Sequence, residues 1–509
     1  MIDRRPYQVA SRNAVVQAAK SGAKNAVVCS PVGSGKSLMM ADLCSVAKRP
    51  VVISPSLTLL NQLHGNLGKW LGEPVDVEQG QRRAEYVLGL KRRVVVASKD
   101  SLLSRSRYKS RAFEGTSLVM VDECHIGITP SMVKILRHFE EQGAFVVGFS
   151  ATPYKGKGRP LPYWNRPCFS YSLLDAINDG WLVRPKVFLS EVKSIDLSIV
   201  EEVAHEWDKA QLEAVLTAEH AVQEIASLVL QTSKGLEPSA VYCHSVLQAK
   251  LVAEVLTRYG RKVSLVHSKQ PDQERQAHMD AFTSGESRII CNVGVLAYGW
   301  DFPELRNIYN AAPTQSIAKY EQRIGRGTRA LPGTIRNDMT VAERLAAIAA
   351  SPKPHFNIYD ITDSSRSIQL VNALDVLDAA SRDNIERRLR MMAKMEEGSD
   401  VVEESRDQDR IDEEQRLLAA AELKEKRQKL IVGMTFDHDS RDPFSQPLGS
   451  RKQRGWRMLW GPYKGELIRD LPTGYLKAVH GKQKKASPLI RAIGTEIQNR
   501  ERNAQGGRS

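Results

Sequence analysis

The stretch Ala26-Val27-Val28-Cys29-Ser30-Pro31-Val32-Gly33-Ser34-Gly35-Lys36-Ser37-Leu38-Met39-Met40 decides the reading of this chain. An apolar run leads into a loop and then into a helix-like segment reaching Leu43, the strand, loop and helix order of a phosphate cradle. Gly33 and Gly35 let backbone N–H groups approach phosphate oxygens, Lys36 reaches the outer phosphates, and Ser37 offers a hydroxyl to Mg²⁺. Pro31, Val32 and Ser34 complete the loop. The pattern G-x-x-x-x-G-K-[ST] begins with glycine, where this chain has Ser30. Taken alone, the loop therefore also reads as a glycine turn without a ligand.

Outward from the loop, short apolar runs recur: Val51-Val52-Ile53, Val94-Val95-Val96, Leu118-Val119-Met120-Val121 and Phe145-Val146-Val147. Stretches of helix length separate them, the alternation of an open parallel α/β sheet whose ligands bind at the carboxyl ends of strands. A second series follows from about residue 220: Ala240–Cys243, Val263–Val266, Arg288–Cys291, Asn307–Tyr309 and Phe356–Tyr359. The expected architecture is α/β, with two tandem parallel-sheet lobes at residues 1–165 and 221–370 joined by a crossover at 166–220. That crossover includes a helix from Leu173 that ends near Gly180. Residues 371–430 alternate acids and bases, with no proline from Ala379 to Leu430, and read as a charged helical spacer without its own core. Residues 431–509 read as a small basic module in which Trp456, Trp460, Tyr463 and Tyr475 lie among lysines and arginines.

With 509 residues the chain exceeds a single core. No apolar run is long enough to span a bilayer, and the start Met1-Ile2-Asp3-Arg4-Arg5-Pro6 has no secretory apolar stretch. No membrane association and a cytoplasmic setting, in a bacterial or phage-infected cell, are the expectations. The six cysteines form no C-x-x-C pair, which argues against a zinc ribbon or a disulfide framework. The net charge of +14 is concentrated: residues 451–509 hold fourteen Lys/Arg against four Asp/Glu, leaving +4 for the rest. Such a segment suits phosphate neutralisation, with solubility as the alternative.

Val121-Asp122-Glu123-Cys124-His125 follows an apolar run of the first lobe. Asp122 is placed to hold Mg²⁺ and Glu123 to orient or deprotonate an attacking water, since phosphoryl transfer depends on positioning and charge neutralisation. In the second lobe Tyr320-Glu321-Gln322-Arg323-Ile324-Gly325-Arg326-Gly327-Thr328-Arg329 offers three arginines that could stabilise transition-state charge across a cleft.

Together these strings resemble the superfamily 2 helicases of the DEAD/DEAH-box type. Asp122-Glu123-Cys124-His125 is similar to their motif II, Phe149-Ser150-Ala151-Thr152-Pro153 to motif III, Val295–Pro303 to motif V and Tyr320–Arg329 to motif VI. The resemblance implies finger roles for Arg326 and Arg329, with Gln322 and Arg323 supporting the nucleotide contact. It implies a coupling role for Ser150 and Thr152, to which His125 is added, and places Gly299 and Asp301 near the ribose and the interlobe surface. Arg5-Pro6-Tyr7-Gln8 resembles an adenine-reading element, with Gln8 facing the base edge. Ser54, Ser56, Ser98, Lys99 and Ser245, at the ends of predicted strands, correspond to nucleic-acid contacts of motifs Ia and IV and of the strand end between them.

The resemblance covers roughly residues 1–370 and is nearest to the group of type III restriction subunits and phage branch-migration helicases, on Asp179-Gly180-Trp181-Leu182-Val183 and Gly299-Trp300-Asp301. It implies RecA-like lobes, ATP and Mg²⁺ as cofactors, and a nucleic-acid partner, DNA first. The implied work is strand separation or branch remodelling in replication, recombination or repair. A duplex translocase or restriction-type ATPase subunit, an RNA helicase and a scaffold with a degenerate motor stand as alternatives. Protein partners and oligomeric state are not legible, and a monomer is compatible.

Deleting residues 451–509 is expected to weaken binding to a DNA oligonucleotide and to flatten the plot of log K against log salt by about 0.7–0.9 for each phosphate that the segment neutralises. An unchanged slope in a fluorescence titration over salt assigns those charges elsewhere.

Overall fold

The computed structural model describes residues 3–85, 94–126, 128–151, 154–155, 159–160, 163–165, 167–203, 206–233, 237–296, 300–363, 371–378, 385–413, 468–482 and 493–500. The chain divides into two compact units, residues 1–418 and 419–509. Among the described residues no helix is long and apolar enough to cross a membrane.

The first unit is built on two all-parallel sheets. Seven strands form the first: Asn25–Cys29, Val51–Ser54, Val75–Glu78, Val94–Ser98, Leu118–Val121, Phe145–Ser150 and Pro167–Ser170. Numbered along the chain, their spatial order is 3-4-2-5-6-1-7. The second sheet has six: Arg184–Val192, Ser239–Tyr242, Val263–His267, Ile289–Val293, Asn307–Asn310 and His355–Asp363, in the order 1-6-5-2-4-3. The apolar strands are buried on both faces, as helix-covered parallel sheets require. In the first sheet the order reverses at strand 1, whose carboxyl end feeds the phosphate loop, the crevice where ligands of open α/β sheets bind. One apolar cluster is continuous between the lobes: Met39 and Met40 of the helix Lys36–Val46, which follows the phosphate loop, belong to the same core as Leu182, Ile290, Phe302 and Ile324.

The segment 166–220 is more than a crossover. Pro167–Ser170 pairs with Asn25–Cys29 as the seventh strand of the first sheet, and Arg184–Val192 pairs with His355–Asp363 at the edge of the second. Pro167 and Pro185 disguise both strands in the sequence, and both strands lie at sheet edges, where a missing N–H is tolerated. The predicted helix from Leu173 ends at Asn178, and Gly180 follows with φ +71°.

The charged segment also differs from its expected exposed spacer. Leu374 and Leu377 of the short helix Ala373–Leu377, Met391 and Met395 of the helix Ile385–Glu396, and Val401 and Val402 are buried in the core that the two lobes share. Ser399 exchanges two backbone hydrogen bonds with Val187 (2.9 and 3.2 Å), so this strap shields part of the edge strand of the second sheet. Phe188 lies so close to Gly398 that a Cβ there would sit 2.0 Å from its ring. Arg387, buried among these residues, donates bidentately to Asp378 (2.8 and 2.8 Å) and reaches Asp409 and Asp412 at 2.8 and 2.9 Å. Its charge is what lets an acid-rich sequence pack inward.

In the second unit Ile468, Leu471, Leu476, Ile493 and Ile497 are buried, and Arg500 donates to Leu471 O at 2.7 Å and Thr473 Oγ1 at 2.9 Å. Trp456, Trp460 and Tyr463 lie outside the described residues, and so does the side chain of Tyr475.

Arg387→Met removes a buried bidentate partner from Asp378, a loss of about 3 kcal/mol. Hydrogen exchange over 385–413 is expected to accelerate while the helix Lys36–Val46 keeps its protection; unchanged exchange in the strap would refute the clamp.

Candidate active site

The phosphate loop is shaped by its own hydroxyls. Ser30 is fully buried; its Oγ donates to Ser34 Oγ at 2.6 Å, Ser34 Oγ donates to Pro31 O at 2.7 Å, and Ser30 N donates to Ser150 O at 2.9 Å. Positive φ occurs at Gly33 (+86°) and Gly35 (+83°) and not at Ser30, so the position that departs from the motif has no need of glycine. Lys36 opens the following helix, and its Nζ donates to Ser30 O at 3.3 Å, across the mouth of the loop. Ser37 is half-buried on the first turn.

Opposite stands the acidic turn. Asp122 N donates to Ile53 O (3.0 Å) and Cys124 N to Phe149 O (2.8 Å), pinning the turn to two strands. Between them Glu123 takes φ +44°, a conformation that costs a non-glycine residue and is held where neighbours over-determine it. Asp122 Oδ1 accepts from Glu123 N at 3.0 Å. Glu123 Oε1 lies 3.6 Å from Lys36 Nζ, while Oε2 makes no hydrogen bond among the described residues and lies 3.4 Å from His125 Nδ1. Burial, and then the adjacent Glu123 carboxylate, push the Asp122 carboxyl up from its ordinary range, with Lys36 opposing. A divalent cation would relieve that cost, and Ser37 and Asp122 are hard oxygen donors suited to Mg²⁺ bound together with phosphates and water.

His125 links this turn to two other elements. Nδ1 is 3.0 Å from Ser150 Oγ, and Nε2 is 3.4 Å from Gln322 Nε2 in the second lobe. Burial lowers its pKa, favouring a neutral ring; with the proton on Nδ1, Nε2 accepts from the Gln322 amide. The arginine helix Ile317–Ile324 therefore meets the acidic turn directly. Its end also meets the phosphate loop: a Cβ on Gly325 would sit 2.5 Å from Val32 Cβ, and one on Gly33 3.6 Å from Thr328 Oγ1 and 3.8 Å from Arg329 Cγ. Val183 N donates to Thr328 O at 2.6 Å.

The arginine heads themselves face the loop after Trp300. Arg326 Nη1 donates to Trp300 O at 2.6 Å, and Arg329 Nη1 donates to the same oxygen at 3.1 Å and pairs with Asp301 at 2.5 Å. Burial, and then the neighbouring Arg329, hold Arg326 down to about 10. Arg323 Nη1 donates to Ala312 O at 2.6 Å, and its guanidinium lies over the Tyr242 ring. Gly299 and Thr152 lie outside the described residues.

At the N-terminus, Gln8 Nε2 donates to Ser34 O at 2.9 Å and Oε1 accepts from Arg5 N at 2.9 Å, which leaves one N–H and one lone pair for a base edge. Tyr7, to which sequence reasoning assigns no role, donates its Oη to Ser34 O at 2.7 Å and stacks on Tyr171. Trp181 is flanked by two guanidiniums, Arg5 at 4.6 Å and Arg344 at 3.7 Å from the ring. Tyr7 beside Gln8 is a readable signal; Arg344, in an ordinary amphipathic helix, gives none.

The expected nucleic-acid residues sit at the carboxyl ends of strands, and most of their hydroxyls are used locally. Ser56, Ser98 and Ser245 cap helices by accepting from Leu59 N, Ser101 N and Gln248 N, Ser54 Oγ donates to Ser56 O, and Lys99 lies 3.9 Å from Asp100. What these positions offer a phosphate is chiefly backbone N–H at helix starts.

Two sequence families match the chain. The type III restriction enzyme res subunit family matches residues 1–155, and the helicase conserved C-terminal domain matches residues 220–331. The candidate ATP-dependent helicase IRC3 of Saccharomyces cerevisiae is 24% identical over 434 residues, 78% of this chain and 60% of that protein. A candidate mitochondrial helicase, irc3 of Schizosaccharomyces pombe, is 26% identical over 339 residues, 64% of this chain and 55% of its own. The chain thus spans less than two thirds of the length of either. Among solved structures, a fragment of a candidate HsdR subunit of a type I restriction enzyme from Vibrio vulnificus YJ016 aligns with TM-score 0.49 and 22% identity, over 70% of this chain and 64% of that one.

Gly325→Ala places a methyl against Val32 and is expected to hold the lobes apart. Turnover of ATP should fall about 10²-fold while a fluorescent ATP analogue still binds the first lobe, because misplacement of about 1 Å costs that much; wild-type turnover would show that the close approach is dispensable.

Proposed function

The chain belongs to superfamily 2 of the helicases, and we propose that it is an ATP-driven motor acting on DNA, in which closure of two lobes around Mg-ATP is coupled to movement along a strand. The observation that carries this reading is the meeting of the two lobes at the nucleotide site: His125 of the acidic turn contacts Gln322 of the arginine helix, and Val32 packs on Gly325.

In this reading the loop amides and Lys36 hold the phosphates, and Glu123 Oε2, which makes no hydrogen bond among the described residues, orients the attacking water and takes its proton. Ser37 and Asp122 would hold Mg²⁺, which supplies charge neutralisation on the phosphates when bound. Arg326 and Arg329 approach from the second lobe, held against the loop Trp300–Pro303, so their reach toward the γ-phosphate depends on the position of that lobe. Ser150, bridging His125 to the strand Phe145–Ser150, carries the nucleotide state toward the strand ends where Ser54, Ser56, Ser98, Lys99 and Ser245 lie. DNA is favoured by the restriction-type family of the first lobe and by the basic tail.

That same restriction-type match favours one second reading, a duplex translocase that moves without separating strands. Strand displacement run beside triplex displacement distinguishes the two.

ATPase activity titrated with single-stranded, duplex and forked DNA and with RNA should rise on DNA. Lys36→Ala and Glu123→Gln are each expected to lower the stimulated rate by at least about 10²-fold, and Arg326→Ala or Arg329→Ala by about 10³-fold. Full stimulated activity in Lys36→Ala or Glu123→Gln would sink the site assignment.

A further inference from the structure

Lys353 occupies the turn Ser351-Pro352-Lys353-Pro354, between the helix Val341–Ala350 and the strand His355–Asp363. Its side chain runs inward and is fully buried. Nζ donates to Pro303 O at 2.6 Å and to Arg329 O at 2.9 Å. Among the described residues it makes no ion pair with a carboxylate; burial, and then Arg306 and Arg329, hold its pKa down to about 7. An amine buried at such cost, amid like charge, stands where a leucine or methionine would pack more cheaply. What it gains is two main-chain acceptors on two different elements.

Those elements are the ones that position the arginine pair. Pro303 closes the loop that begins at Trp300, and Arg329 ends the arginine segment. On one side of the junction Arg326 and Arg329 grip Trp300 O and Asp301. On the other side Lys353 grips the carbonyls of both stretches of chain. Phe356, two residues beyond the turn, completes the joint: its ring lies where a Cβ on Gly327 would be, 2.3 Å away, and Lys353 Nζ lies 5.9 Å from the same ring.

We propose that Lys353 is a positioning residue for ATP hydrolysis, locking the backbone at Arg329 to the Trp300–Pro303 loop so that both guanidiniums travel with that loop as one body. The proposal rests on the hydrolytic reading above. Without the lock, the guanidiniums keep their contacts to Trp300 and Asp301 but the backbone that carries them is free to shift, which degrades alignment in the transition state more than ground-state binding.

The test uses the full chain carrying Lys353→Met, which keeps length and packing but has no donor, and Lys353→Gln, which restores an amide NH₂ on a shorter stem. Steady-state ATPase with poly(dT), the KM for Mg-ATP, binding of a fluorescent ATP analogue and urea unfolding are measured, with Lys36→Ala alongside. For Lys353→Met, kcat should fall about 10²-fold with KM nearly unchanged, and Lys353→Gln should recover roughly tenfold of it. Wild-type kcat in Lys353→Met overturns the proposal. So does a joint loss of analogue binding and unfolding cooperativity with no recovery in Lys353→Gln, which would make the lysine merely structural. If instead Lys36→Ala hydrolyses ATP like the wild type, the hydrolytic reading itself has failed.

Discussion

The two-lobed unit depends on how closely the end of the arginine helix approaches the phosphate loop. At Gly325 the approach leaves no room for a side chain beside Val32, and at Gly33 it brings Thr328 and Arg329 against the loop. Interiors of this density respond to change by discrete shifts of whole elements. A shift of the phosphate loop is therefore felt by the second lobe through steric contact. Val183 extends the same contact, since its N–H is held by Thr328 O and its neighbour Leu182 belongs to the shared core.

Around that contact sits an unusual amount of buried charge. Lys36, Asp122, Glu123, Arg326 and Arg329 lie within one region, and burial shifts Asp122 upward and both arginines downward. Each shift marks a charged form that lacks full compensation, the condition in which binding a tetra-anionic nucleotide with a divalent cation is most favourable. The arginines are meanwhile held by neutral carbonyl oxygen at Trp300 and by the exposed Asp301, partners weak enough to be exchanged. The site is thus poised for ligand-driven rearrangement, with the cost of desolvation already met by folding.

Much of this is legible in the sequence because it depends on backbone geometry that only certain residues permit. Gly33, Gly35 and Lys36 announce the loop, Asp122 and Glu123 the acidic turn, and Gln322, Arg326 and Arg329 the facing helix and the segment after it. The apolar strands are equally plain, since buried parallel strands are continuous runs of Val, Ile and Leu. Three strands are hidden: Val75–Glu78, whose alternation places the buried Glu78 against Arg107 at 2.9 Å, and the two proline-bearing edge strands. The strap is hidden for another reason. Arg387 reads as one more surface charge among acids, and only three-dimensional convergence of Asp378, Asp409 and Asp412 reveals it as a core residue. Arg323 shares the Tyr242 ring with Arg326 and Arg329 and spends a donor on Ala312 O, a contact that the sequence does not announce.

Ser30 shows how a departure from a motif can be a second solution to the same constraint. Glycine at that position would take one hydroxyl out of the loop. Serine instead supplies a hydroxyl that reaches Ser34, whose own hydroxyl returns to Pro31 O, while Ser34 O receives both Tyr7 and Gln8. Every one of these bonds is buried, where a satisfied hydrogen-bond network is rigid and a partly satisfied one is costly. The loop's shape is thereby tied to the N-terminal helix Pro6–Lys20. Glycine at position 30 would remove the bond to Ser34 Oγ and leave those of Tyr7 and Gln8, which end on the Ser34 carbonyl.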